Sequence, residues 1–260
     1  MNLCRFPRAM LFGLAVLFAG AAGAAPAAAP PAPASNVVLV HGAWADGSSW
    51  AQVIPLLQRA GLHVTAVQNP LTSLGDDVAA TRRALAQQQG PTVLVGHSYA
   101  GNVISEAGVD PKVTALVYVA ARAPDAGEDF GALAARFPTM PVRAGVETHD
   151  GVATLGERAF LDHFANGVPS TLAHTLYAVQ QPIRATLFND RTTAAAWHTT
   201  SSWYAVSRDD QTTSPDLQRF LAKRMGAHTV ELASGHLSLV SHPREIANLI
   251  LAAAGRPALK

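Results

Sequence analysis

The stretch Thr92-Val-Leu-Val-Gly-His-Ser-Tyr-Ala-Gly101 runs from an apolar, β-branched segment through small residues into an apolar helical stretch that ends near Ala107. A serine held in a sharp strand-to-helix turn exposes its hydroxyl, and the strain of that turn requires small neighbours on both sides. Gly96 stands two residues before Ser98. Ala100 stands two after it, where the G-x-S-x-G pattern has glycine, and Gly101 follows directly. Alanine departs from the strict pattern but keeps the smallness. Ser98 is therefore the candidate nucleophile, and Thr92–Val95 is expected as a strand buried on both faces of a sheet.

The same alternation continues on either side. Asn36–Val40, Val64–Val67, Ala115–Ala120, Trp203–Val206 and Thr229–Leu232 read as further strands. Helical spacing is seen over Ser48–Ala60, Asp76–Gln88, Pro215–Met225 and Pro243–Ala254. Strand and helix in alternation imply right-handed crossovers, so the expected fold is α/β: a doubly wound, mainly parallel six-stranded sheet with helices on both faces. Residues 122–200 break the rhythm with Gly, Pro, Thr and Ala and short amphipathic pieces such as Arg158–Phe164. About eighty residues do not form a structureless loop in a compact domain, so a helical cap is expected there.

The first residues read differently. Arg5 and Arg8 precede an uncharged apolar run, Ala9–Ala19, and Ala22-Gly23-Ala24 fits a signal-peptidase site. The run is short of the ~20 apolar residues that span a bilayer. The expectation is a cleaved signal over 1–24, a Pro/Ala linker over 25–35, the catalytic domain over 36–254 and a tail over 255–260, with export to the periplasm or outside the cell. Removing 1–24 takes away two arginines and no acid, so the net charge of +1 becomes −1. Cys4, the single cysteine, leaves with it, and the mature chain has no disulfide to rely on. A near-neutral chain has no basic field for nucleic acid, and no stable membrane anchor is expected after cleavage.

A serine nucleophile needs a base and an acid, in the chain order Ser, Asp, His, each at the carboxyl end of a strand. Of the ten histidines, His228, His236 and His242 lie among the late elements. His228 precedes the last strand, at the wrong edge of the sheet, and His242 leads into the final helix before Pro243. His236 follows the strand within Ala233-Ser-Gly-His-Leu237, in a loop free to reach back to Ser98. It is the expected base. Asp209 and Asp210 both follow Trp203–Val206, and position alone leaves both open as the acid; Asp216 reads as a first-turn helix residue. Two backbone donors should hold an oxyanion: the amide of Tyr99 and, from His41-Gly-Ala-Trp44, the amide of Ala43. Trp44, Tyr99 and the cap residues Phe130, Phe137 and Phe164 are candidates for an apolar pocket wall. His149, His163 and His174 are too scattered for a zinc site.

Together HGAWADGSSW, GHSYAG, the acidic pair and SGHLSLVSHP resemble the α/β-hydrolase superfamily, most of all its bacterial carboxylesterase branch related to plant methylesterases and hydroxynitrile lyases. The resemblance covers Asn36 to Ala254, the cap matching in length and position only. It implies that the acid is Asp210, and that the chain keeps a minimal six-stranded core, lacking two strands that usually precede the HG loop. Similar hydroxynitrile lyases carry threonine where Gly42 stands and lysine after the catalytic histidine, where this chain has Leu237. Haloalkane dehalogenases and epoxide hydrolases use an aspartate in place of Ser98. The resemblance thus implies hydrolysis of a small, apolar carboxylic ester through an acyl-enzyme, with no metal or organic cofactor. Lactone or C–C hydrolysis by the same triad, and a hydrolase-like small-ligand receptor with little turnover, are the competing readings.

Overall fold

The structure is a computed structural model that describes residues 1–3 and 33–259. Apart from residues 1–3, the expected signal, Cys4 and the linker up to residue 32 lie outside the described residues. Among the described residues no helix is long and apolar enough to cross a membrane.

The chain enters the sheet as β1 (Asn36–Val40), passes a 3₁₀ turn (Gly47–Trp50) and α1 (Ile54–Arg59), and returns as β2 (His63–Val67). Then follow α2 (Leu74–Ala86), β3 (Thr92–His97), α3 (Ala100–Ala107) and β4 (Val113–Val119). The cap holds α4 (Phe130–Ala134), β5 (Val146–His149), β6 (Val152–Leu155), α5 (Glu157–Ala159), α6 (Ser170–Ala178) and β7 (Ile183–Arg184). β8 (Ser202–Ser207), α7 (Pro215–Arg224), β9 (His228–Leu232), α8 (Ser238–Ser241) and α9 (Pro243–Ala253) complete the domain.

The main sheet has six strands in the order β2-β1-β3-β4-β8-β9, every pairing parallel. All residues of β1 and β3 are buried, as continuous Val/Leu runs require between two helical layers. The edge strand β9 is largely exposed. Helix ends carry their own signals. The Ser73 hydroxyl caps α2 by accepting from the Asp76 amide at 3.0 Å. α7 starts on Pro215 and Asp216 and finishes on Lys223 and Arg224, matching its dipole at both ends.

Two expectations need correction. The pattern over Ser48–Ala60 is two pieces, the 3₁₀ turn and the six-residue α1, because Pro55 has no amide to donate and starts a new helix. The cap is not wholly helical: β5, β6 and β7 form a three-stranded antiparallel sheet. Its hairpin turns on Asp150 (φ 49°) and Gly151 (φ 81°), the pair of left-handed residues that a two-residue turn demands. The amphipathic piece Arg158–Phe164 does wind helically, α5 passing into a wider π turn over Phe160–Phe164.

Candidate active site

Strands β1, β3, β4, β8 and β9 end side by side at one edge of the sheet, at Val40, His97, Val119, Ser207 and Leu232. The loops that follow deliver Gly42-Ala43-Trp44, Ser98, Arg122, Asp210 and His236. In open parallel sheets this carboxyl edge is where ligands bind.

Ser98 has φ 54°, a left-handed conformation that side chains with a Cβ rarely adopt, and it is partly exposed. The turn is held from below by the Ser98 amide donating to the Val119 carbonyl (3.0 Å) and the Arg122 amide donating to the Ser98 carbonyl (3.0 Å). The neighbouring glycines are there for space. A Cβ on Gly96 would lie 2.9 Å from the Ala100 carbonyl oxygen, and one on Gly101 would lie 1.7 Å from that of Arg122. The alanine at position 100 is tolerated because the tightest backbone crossing falls one residue later, on Gly101.

His236 is fully buried, and its Nδ1 donates to Asp210 Oδ2 at 2.7 Å. Its Nε2 is buried with no hydrogen-bond partner among the described residues. The Nδ1–H tautomer that the carboxylate selects thus leaves a lone pair on Nε2. The ring is packed between Phe164 of the cap (5.2 Å between centroids) and His97 (4.7 Å). His97 Nε2 donates to the His236 carbonyl at 3.1 Å, tying the base loop to the nucleophile turn. Burial holds the His97 imidazole well below its ordinary pKa, so it acts as a neutral strut.

Between the two candidate acids, the structure brings only Asp210 to the histidine. Asp210 is buried, and besides His236 it accepts from Gln218 Nε2 (2.7 Å) and from the amides of Thr212 (2.7 Å) and Thr213 (2.9 Å). Asp209 is exposed, with Arg208 3.7 Å away. Gln218 was not singled out in the sequence. Its Oε1 accepts from the Ser207 amide at 2.9 Å, so a residue of α7 fixes both the end of β8 and the carboxylate beyond it. The signal for it was only a glutamine on the otherwise apolar face of that helix.

Ala43 and Tyr99 are both buried, and their amides donate to no other group among the described residues. Gly42 makes their approach possible: a Cβ there would stand 2.9 Å from Ser98 Cβ. His41 clamps this loop. Its Nε2 accepts from the Asn69 amide (2.9 Å), so its proton sits on Nδ1 and is donated to the Gly42 carbonyl (2.9 Å). The next residue, Trp44, takes φ 56° and swings its indole under the cap, where Nε1 donates to the Ala153 carbonyl at 3.2 Å. Trp44 packs edge-on against Phe164 and Phe188. A narrow, mainly apolar cleft opens beside it, lined by Trp44, Ala45, Phe160, Phe164, Leu176, Val179 and Leu237 together with Asp46 and Ser49.

Of the candidate wall residues, Trp44 and Phe164 face this cleft. Phe130 lies instead under the Arg122 guanidinium, Tyr99 against Phe188, and Phe137 packs away on Phe220 (5.5 Å). Phe160 and Phe188 were missed, since nothing in their local sequence distinguishes them from core residues. In the cap, His163 bonds Gln211 and His174 faces Glu157; no group of residues suited to a metal occurs among the described residues. His228 opens β9 and His242 precedes α9, neither beside Ser98.

Residues 37–249 match the alpha/beta hydrolase family. The chain belongs to that family. Among similar proteins, an alpha/beta hydrolase of Aspergillus novofumigatus, nvfD, is 29% identical over 244 residues, 84% of this chain and 96% of that one. The carbendazim hydrolyzing esterase of Nocardioides sp. is 29% identical over 169 residues, 60% of this chain, and the match spans only 62% of that esterase. Among solved structures, polyneuridine aldehyde esterase superposes with a TM-score of 0.73 at 19% identity, covering 84% of this chain and 98% of its own. The Arabidopsis methylesterase MES16 gives 0.70 at 18% identity, covering 85% and 98%. At such identities the structural likeness concerns the hydrolase fold.

Proposed function

We propose that this alpha/beta hydrolase is a serine esterase acting on small, apolar carboxylic esters. Ser98 Oγ attacks the ester carbonyl while His236 Nε2 takes its proton, and Asp210 steadies the resulting imidazolium through Nδ1. The carbonyl oxygen, now negative, accepts from the amides of Ala43 and Tyr99. The tetrahedral intermediate collapses as His236 returns the proton to the leaving alcohol. Water, deprotonated by the same Nε2, then attacks the acyl-serine, and the acid departs with Ser98 regenerated. The cleft beside Trp44 would hold the apolar part of the ester. The chemistry calls on no metal or organic cofactor, and the leader over 1–24 would export the enzyme.

One observation carries this reading: a buried imidazole bonded through Nδ1 to a buried carboxylate at 2.7 Å, with a free Nε2, next to the turn of a left-handed serine. The esterase relatives support it. Turnover of p-nitrophenyl acetate and butyrate is the test, with Ser98→Ala as control. A fluorophosphonate should label Ser98 in the native protein and not in His236→Ala. Saturable binding of esters without repeated turnover would refute the enzyme and leave a receptor.

A further inference from the structure

Of the five carboxyl ends of β1, β3, β4, β8 and β9, four supply residues to the proposed chemistry. The fifth, after β4, supplies Arg122, and β4 lies in the sheet between β3, which carries Ser98, and β8, which carries Asp210. The backbone of Arg122 bonds the Ser98 carbonyl and crosses Gly101. Its guanidinium lies between two cap rings, with Cζ 4.3 Å from the centroid of Phe188 and 4.9 Å from that of Phe130. Phe188 in turn touches Trp44 (5.4 Å) and Tyr99 (6.0 Å). The cation is thus one ring away from the oxyanion loop, while Phe164 and the apolar cleft lie against Trp44 as well.

Exposed arginines such as Arg59, Arg83 and Arg136 have no carboxylate partner among the described residues; what distinguishes Arg122 is that it is half-buried without one. Arg184, Arg191, Arg219 and Arg224 each pair with a carboxylate. Arg122 pairs with none among the described residues, and its Nη1 is buried without a hydrogen-bond partner. Besides burial, two neighbours act on it: Tyr99, whose raised pKa keeps it neutral, and Arg143, which has the same sign. Burial draws its pKa down to about 10, which still leaves it charged at neutral pH. Two aromatic faces offset only part of the lost hydration of a guanidinium. Its planar fork is suited to a carboxylate, which can take two parallel hydrogen bonds.

We infer that Arg122 is a specificity-determining residue that receives a carboxylate carried by the substrate, so that the preferred esters are monoanionic, with the apolar part in the cleft by Trp44 and the acid group at Phe188 and Phe130. This rests on the esterase reading above and narrows its apolar ester to one that also carries a carboxylate away from the cleft.

The test compares matched esters with and without a carboxylate, placed on either side of the ester bond. Monomethyl glutarate and adipate are set against methyl pentanoate and hexanoate, and 4-acetoxybenzoate against phenyl acetate. In one of the two placements the anionic ester should have at least a tenfold higher kcat/KM, mainly through KM. Arg122→Met should bring that ratio to within twofold of unity, and Arg122→Lys should keep part of it. The melting temperature of Arg122→Met should equal or exceed that of the native protein, whereas a purely structural cation between the rings would lower it. Should Arg122→Met not fold, protection of the native protein by glutarate and competitive inhibition of phenyl acetate hydrolysis by glutarate decide the matter. No anionic preference in either placement, or one that survives Arg122→Met, overturns the inference. Failure to turn over even phenyl acetate and p-nitrophenyl butyrate breaks the esterase reading instead.

Discussion

Strands β1 and β3 bury every residue between helices, whereas in the cap β5 is exposed along its whole length and β6 is buried at only two of four positions. The first region is stabilised by continuous apolar burial, at roughly 1.5–3 kcal/mol for each Val or Leu side chain taken from water. The second is held by rings and a few polar tethers: the Arg184 amide on the Leu71 carbonyl (2.9 Å), Gln181 on the Asn69 carbonyl (3.0 Å), and Asp190 between Arg184 (2.6 Å) and the Leu74 amide (2.9 Å). The contrast assigns different tasks. A rigid sheet edge carries the loops of Ser98, Asp210 and His236, the last two hydrogen-bonded at 2.7 Å, and the less buried cap lays Phe164 on His236 and Phe188 on Trp44. Changes in the core should therefore cost chemistry or folding, and changes in the cap should cost selectivity or little at all.

The sharpest test lies at the strand ends. Ser98→Ala should lower kcat on p-nitrophenyl butyrate by about 10⁴–10⁶-fold with the fold intact by circular dichroism. Asp210→Asn should cost about 10⁴-fold, because it upsets the tautomer of His236. Asp209→Asn, one residue away and exposed, should stay within about twofold of native. The reverse order would refute the assignment of the acid. Gly101→Ala tests the backbone crossing behind the turn. With a Cβ 1.7 Å from the Arg122 carbonyl oxygen, the variant should lose about 3 kcal/mol or more in urea titration, or fail to fold.

Between core and cap lies Asp77, whose carboxylate accepts from the Tyr99 hydroxyl (2.9 Å) and from the amide of Leu71, a residue at φ 57°. Burial raises its pKa from 3.8 to about 6. A raised carboxyl favours the folded state most when protonated, so its contribution is full below 3.8 and is lost as pH climbs through about 6. Native stability should decline over that window relative to Asp77→Asn; parallel stability–pH profiles for the two proteins would exclude the coupling. The smallest effect is expected at the cap hairpin. Gly151 has φ 81° and open space around it, so Gly151→Ala should cost only about 1 kcal/mol of backbone strain. Ester turnover should stay within about twofold, and a large loss would show that the hairpin reaches the chemistry after all.

The chain sequence by itself determined the features whose causes are local. A Val/Leu run closed by small residues can only be a buried strand ending in a tight turn, so β3, Ser98 and the glycines around it were readable, as were the Gly42 loop and the His236 loop after the last strand. Even the Asp150-Gly151 hairpin had a local signal, but the flanking Val-Glu-Thr-His and Val-Ala-Thr-Leu are too polar or too short to read as strands until they pair. Tertiary structure decided the rest, because those features depend on partners far along the chain. Whether Asp209 or Asp210 turns inward is a one-residue question, settled by the amides of Thr212 and Thr213, by Gln218 on α7 and by His236, 26 positions away. That Phe188 covers Trp44, and that Arg122 ends between two rings without a carboxylate, follows from how the cap folds back over the sheet. Periodicity records which face of an element is apolar. It carries no record of which distant side chain will meet that face.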